Sequence, residues 1–170
     1  MFSKVDIEKY FNAEKSESLL FIIIGITAIV LALIFLFYLK TNWYKGFAIP
    51  FILIGLLQFI IGFIVYKKCD QYRIRNVYAY DMLHKDLRTK EIPRMERVNK
   101  NFVFYRYTEI VLLLAGIGLF FYFRVSKPFW AGFCMALAIQ AAIMLGADVV
   151  AEKRAHQYSR GLQSYIDQLK

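Results

Sequence analysis

Two stretches in the first half of this chain are long and apolar enough to cross a lipid bilayer, and they constrain its fold more than any other feature. Leu19 to Leu39 is 21 residues interrupted only by Gly25, Thr27 and Tyr38, and Phe47 to Tyr66 is 20 residues whose one strongly polar member is Gln58. At about 1.5 Å of rise per residue, each covers a hydrocarbon core of roughly 30 Å. Lipid offers no partner to backbone N–H and C=O groups, so such segments are expected as helices. With 59% hydrophobic residues the whole chain is too apolar for a soluble domain of its length.

Two more spans follow. Ile110 to Phe123 is short, and extending it back to about 103 places Arg106 and Glu109 near the membrane edge. Phe129 to Ala151 is long enough and carries Gln140 and Asp148. The expected spans are therefore about 19–39, 47–66, 103–123 and 129–151.

The chain also repeats at a spacing of 86 residues: Gly46-Phe47 recurs as Gly132-Phe133, Lys67-Lys68 as Lys153-Arg154, and Gln71-Tyr72 as Gln157-Tyr158. The fold class expected is all-α integral membrane, four transmembrane helices as two tandem hairpins with cytoplasmic helical extensions. Residues 1–90 form the first unit and 91–170 the second. Hairpins entering the membrane in the same direction are related by a pseudo-two-fold axis along its normal, as in parallel repeats.

Basic residues set the orientation. Lys40, Lys45, Arg124 and Lys127 flank the two tight turns, whereas Lys67, Lys68, Arg73, Arg75, Lys85, Arg88, Lys90, Arg94, Arg97, Lys100 and Arg106 crowd the segment between spans two and three. That segment and both termini are placed in the cytoplasm, with Lys153, Arg154, Arg160 and Lys170 following the last span. The net charge of +9 is largely this asymmetry, which suits an anionic leaflet and argues against nucleic acid as a partner. Asp6, Glu8, Glu14 and Glu17 precede the first span, so it does not read as a removable signal sequence. Trp43 and Tyr44 in one turn, and Phe129 and Trp130 in the other, are placed as anchors at the headgroup level.

Beyond spans two and four the sequence keeps a helical period. Ala155, Tyr158, Leu162, Tyr165 and Leu169 fall at alternating steps of three and four, and the equivalent first-copy positions are Cys69, Tyr72, Asn76, Ala79 and Leu83, extended by Tyr80 and Leu87. Met95, Val98, Phe102 and Tyr105 make a further stripe leading into span three, with Pro93 in the tolerated first turn. These stretches are expected to pack as a small cytoplasmic bundle. Tyr72, Tyr158, Leu162 and Tyr165 are candidates for a second use, as an interface for a homo-oligomer or a partner helix.

Few polar groups lie within the spans. Gln58 and Gln140 are expected to hydrogen-bond across helices, and they are not at equivalent repeat positions. Glu109 and Asp148 are the most costly residues in the bilayer; Arg106 is the expected partner of Glu109, and Arg154 or Lys67 of Asp148. Gly55, Gly62, Gly116, Gly118 and Gly146 permit close helix approach. Asp148, Glu152 and His156 share one helix face but lack ligands from a second element, since His84 with Asp81 lies elsewhere, so no metal or cofactor is expected. Cys69 and Cys134 read as unpaired thiols, and no Gly-x-Ser-x-Gly or phosphate loop points to an enzyme.

The close of the second copy, Gly146-Ala-Asp148-Val-Val-Ala-Glu152-Lys-Arg154-Ala-His-Gln-Tyr158 with Leu162 following, resembles that of small bacterial four-span inner-membrane proteins, several of which are immunity proteins against secreted pore-forming toxins. The resemblance implies a bacterial cytoplasmic membrane as location and a cognate toxin as partner, alongside membrane lipid. The function expected is binding and neutralising a membrane-inserting toxin. An accessory or scaffold subunit of a membrane complex, or a small oligomeric channel around Gln140 and Asp148, are the alternatives.

Overall fold

The structure is a computed structural model, and it describes residues 2–168. Helix α1 spans Lys4–Ile34 and runs on through a π-helical turn, Phe35–Leu39. Helix α2 is Asn42–Met82, α3 is the short His84–Asp86, and a second π-helical turn, Leu87–Glu91, leads into α4, Ile92–Phe123. Helix α5 is Pro128–Gln168. Four of these helical paths are long and apolar enough to cross a membrane. A 41-residue helix such as α2 or α5 is about 60 Å long, twice a hydrocarbon core.

Local chemistry sets the ends of these elements. The Ser3 backbone N–H and hydroxyl both donate to Asp6 Oδ2, at 2.8 and 2.9 Å, which fixes the start of α1 and puts an anion at its positive end. Between the first two long helices only Lys40 and Thr41 are available. Lys40 takes a left-handed φ of 52° and donates its N–H to Phe35 O, while Thr41 Oγ1 accepts from the Tyr44 N–H. Pro128 opens α5, where its missing N–H costs nothing. The wide turn at Leu87–Glu91 precedes Pro93, whose ring cannot donate and crowds the carbonyls behind it. The division expected between residues 90 and 91 falls inside this turn.

Helices α2 and α5 form the centre and α1 and α4 flank them. In the most apolar stretch of each path, 33% and 28% of residues are buried in α2 and α5, against 17% and 11% in α1 and α4. Small residues make the crossings. Gly25 and Gly55 face each other between α1 and α2, where a Cβ on either would press on the other's carbonyl, and one on Gly62 would meet Ser18 O at 2.8 Å. A Cβ on Gly46 would strike the Phe129 carbonyl, and one on Gly132 the Trp43 carbonyl. These contacts are reciprocal, because Gly46 and Gly132, like Trp43 and Phe129, are equivalent at the 86-residue spacing. Gly116 seats α4 on α5 at Cys134 O, 2.9 Å from a notional Cβ. Gly118 and Gly146 do not serve as expected: a Cβ on either meets nothing within 4 Å, because both face away from the bundle.

The charged end has a different core. Ile7, Tyr10, Phe11, Ala79, Leu87, Met95, Ala155, Tyr158, Leu162 and Ile166 form one buried cluster drawn from every long helix. The expected stripes supply much of it, with Cys69 and Asn76 also buried and Tyr72, Val98, Phe102 and Tyr165 half-buried. Leu83 does not: it is 47% exposed, because α2 stops at Met82 and the chain reverses there, so that Leu87 enters the core on the returning segment. Leu169 of the stripe and the basic Lys170 lie outside the described residues.

Candidate functional site

Buried polar groups are where the structure has something to say about function, and they fall at three levels. At the first, deep between α2 and α5, Gln58 Nε2 donates to Gln140 Oε1 at 3.3 Å, both side chains 2% exposed. Each was expected to bond across helices, and the partner of each is the other. They meet although they are not equivalent in the repeat, because contacts between these two parallel helices reach about one turn along the axis in either direction: Gly46 lies against Phe129, three residues back from its counterpart Gly132, Gly132 lies against Trp43, and Gln140 is four residues back from the counterpart of Gln58.

At the second level, in the charged-end core, Glu91 is fully buried. It accepts from Arg94 at 2.7 and 3.0 Å, from Arg75 at 3.3 Å and from the Tyr158 hydroxyl at 3.3 Å. The Arg94 guanidinium lies over the Phe11 and Tyr72 rings. Burial works to lower its pKa, and the Glu91 hydrogen bond and charge outweigh that and raise it. Tyr10 and Tyr158 stack at 4.2 Å between ring centroids, and burial, with nearby carboxylates, holds both hydroxyls well above the ordinary phenol value. Burial also pushes the Cys69 thiol up to about 12, helped by Glu14, whose Oε2 accepts from Sγ at 3.6 Å. Glu14 is itself raised, by burial first. Glu91 and Glu14 thus have donors from the groups packed around them, and a thiol held protonated is a packing group rather than a nucleophile.

The third level is a cleft of about 380 Å³ between α1 and α4, floored by α2 and α5. Phe21, Ile54, Val65, Leu112 and Met144 are among its apolar walls, and its charged groups are Glu14, Glu17, Glu109, Asp148 and Arg154. Glu109 is 3% exposed, and neither carboxyl oxygen has a hydrogen-bond donor among the described residues. The polar group facing it is the carboxyl of Asp148, close enough that a proton on either one hydrogen-bonds the pair, whereas with both ionised each is only an acceptor. Nearby hydroxyls are engaged elsewhere, Thr108 on Phe104 O and Ser18 on Lys15 O.

The basic partners expected for this pair have other attachments. Arg106 forks onto Glu152 at 2.9 and 3.1 Å instead of turning to Glu109, since the neighbouring helix α5 offers a carboxylate outside the cleft. Arg154 pairs with Glu17 across α1 and α5, and the Lys67 ammonium lies over the Phe63 ring at 4.6 Å. With Glu152 held by Arg106, His156 at 3.6 Å is its second neighbour, and no three His, Cys, Asp or Glu side chains among the described residues gather as a metal would need.

Of the tyrosine and leucine candidates, Tyr158 and Leu162 are buried within the chain, while Tyr72 and Tyr165 keep partial exposure at the edge of the same core. Sequence reasoning missed Glu91. A signal was present: the stripe Met95, Val98, Phe102 continues backward by one step of four to Glu91, which marks a carboxylate pointing at a core. Comparison of the chain with protein-family models, with curated proteins and with solved structures finds no match.

Proposed function

We propose that this chain is a multi-pass protein of a bacterial cytoplasmic membrane that binds and neutralises a membrane-inserting toxin, and that it does so without catalysis. The cleft between α1 and α4 carries the reading. Its walls run from the apolar stretches into the charged end, and the protein's own helices leave it unfilled. A membrane setting is supported by leucines and isoleucines turned outward along every long helix, such as Leu20, Ile23, Leu53, Ile60, Ile61 and Leu114, each about half exposed or more. A soluble monomer does not present such a continuous apolar surface.

In that setting helix pairs α1–α2 and α4–α5 are tandem hairpins and the charged end, with both termini, lies in the cytoplasm by its lysines and arginines. Two short turns are then all that faces outward, so a toxin is met laterally within the bilayer. A partner helix lying along the cleft covers apolar walls and brings a polar group to the Glu109 carboxyl, which has none. Co-expression with the toxin encoded beside this gene tests the reading. Survival that depends on the intact chain is the expected result, and equal killing with and without it overturns the reading.

One observation favours a second reading, the accessory or scaffold subunit. Ile74, Tyr78 and Met82 form an exposed stripe at steps of four on the charged end of α2, 66%, 58% and 70% exposed. Charge on that stripe, as in Tyr78→Glu, leaves toxin protection intact under the first reading and abolishes assembly under the second.

A further inference from the structure

Glu109 is an anomaly by the rules that govern buried carboxyls. A carboxylate removed from water is retained where donors or a cation satisfy it, and one left alone costs several kcal/mol. Here two carboxyl groups from different helices face each other in an apolar cleft, with four acidic side chains lining it against one basic, and that one, Arg154, is already held by Glu17. No cation and no hydroxyl or amide donor among the described residues reaches the Glu109 oxygens, and the cleft supplies apolar walls beside them.

We propose that the Glu109–Asp148 pair is the anchor for a single basic residue on the incoming transmembrane helix, its ammonium or guanidinium seated between the two carboxyls and its methylene stem lying against Phe21, Leu112 and Met144. A long basic side chain fits the site in both respects: it carries the missing donors on an apolar stem that snorkels along such walls. The cavity of about 380 Å³ accommodates side chains of a helix, and not the helix itself, which then lies along the opening. The inference rests on the toxin reading for the source of that side chain, and it names what that reading leaves open: an apolar helix with one Lys or Arg near the cytoplasmic edge of its span.

The test uses the full chain in phosphatidylcholine vesicles and a synthetic Leu/Ala transmembrane helix bearing one Lys, or Gln at the same position, one turn from its cytoplasmic end. Binding is read by energy transfer between labels on peptide and protein. The Lys helix is expected to bind about tenfold tighter than the Gln helix, the scale of one strong interhelical polar contact. That preference disappears in Glu109→Gln, with circular dichroism and melting unchanged; should Glu109→Gln not fold, Asp148→Asn carries the same comparison. Equal binding of both peptides to the wild-type chain overturns the proposal. So does phosphatidylethanolamine abolishing the preference when added to the vesicles, since a lipid ammonium is then the occupant. Toxin protection that survives in Glu109→Gln overturns the anchor and leaves the toxin reading standing, whereas peptide preference without toxin protection does the reverse.

Discussion

Glu91 and Glu109 are both buried glutamates on the path from α3 through α4, about five helical turns apart, and their surroundings are opposite. Glu91 sits in the charged-end core with two arginines and a tyrosine hydroxyl on its oxygens. Glu109 sits at the edge of the apolar stretch facing a second carboxyl. The difference teaches which burial is structural. A carboxylate whose donors come from elements already packed around it orders those elements, and a buried carboxyl with no such donor does not. The ends of the bundle also differ in what joins them: the apolar half packs through glycines and alanines around the Gln58–Gln140 pair, and the charged half through large aromatics and ion pairs.

The largest effect expected from breaking this comparison is at Glu91. Glu91→Ala leaves Arg94 buried without its partner and is expected to cost about 3 kcal/mol, the lower end for a broken buried pair, because Arg75 on the other side is 40% exposed. Denaturant or thermal melts in mild detergent read this. Next is Gly132→Leu, where the obstacle is the Trp43 backbone and no side chain can yield; a loss of about 2 kcal/mol is expected, with α2 and α5 moving apart. A smaller loss, about 1 kcal/mol or less, follows Gln140→Leu, which removes the acceptor of Gln58.

The smallest effect is a pH dependence at Glu14. Burial raises its carboxyl above the ordinary carboxylate value, so the folded chain favours the protonated form. That contribution is complete below the ordinary value and is lost as pH climbs through the raised one. Glu14→Gln therefore melts higher than the wild type at pH 8, and the gap closes by pH 4. A gap independent of pH places the effect in packing instead.

Much of this architecture was legible in the sequence because it rests on local periodicity. The four apolar stretches, the two turns and the Ala155, Tyr158, Leu162 stripe each follow from spacing alone, and the helices place them accordingly. What was not legible depends on register between helices. The Gln58–Gln140 bond pairs positions about one turn off equivalence, an offset seen also where Gly46 meets Phe129 and Gly132 meets Trp43, and helix period alone does not give it. The transfer of Arg106 from Glu109 to Glu152 needs the proximity of α4 to α5, and no i to i+3 rule anticipates it. Leu83 stays outside the core that Leu87 enters because a helix that keeps its hydrophobic period can still stop, and the stop at Met82 carries no proline or glycine to announce it.

The central claim is that Glu91 holds the fold and Glu109 does not. Melting temperatures of Glu91→Gln and Glu109→Gln, taken side by side in the same detergent, test it most directly. Each substitution keeps the shape of the side chain and replaces its carboxyl with an amide. The account predicts a clear drop for Glu91→Gln and an unchanged or higher value for Glu109→Gln; a drop at Glu109 equal to or larger than that at Glu91 would contradict it.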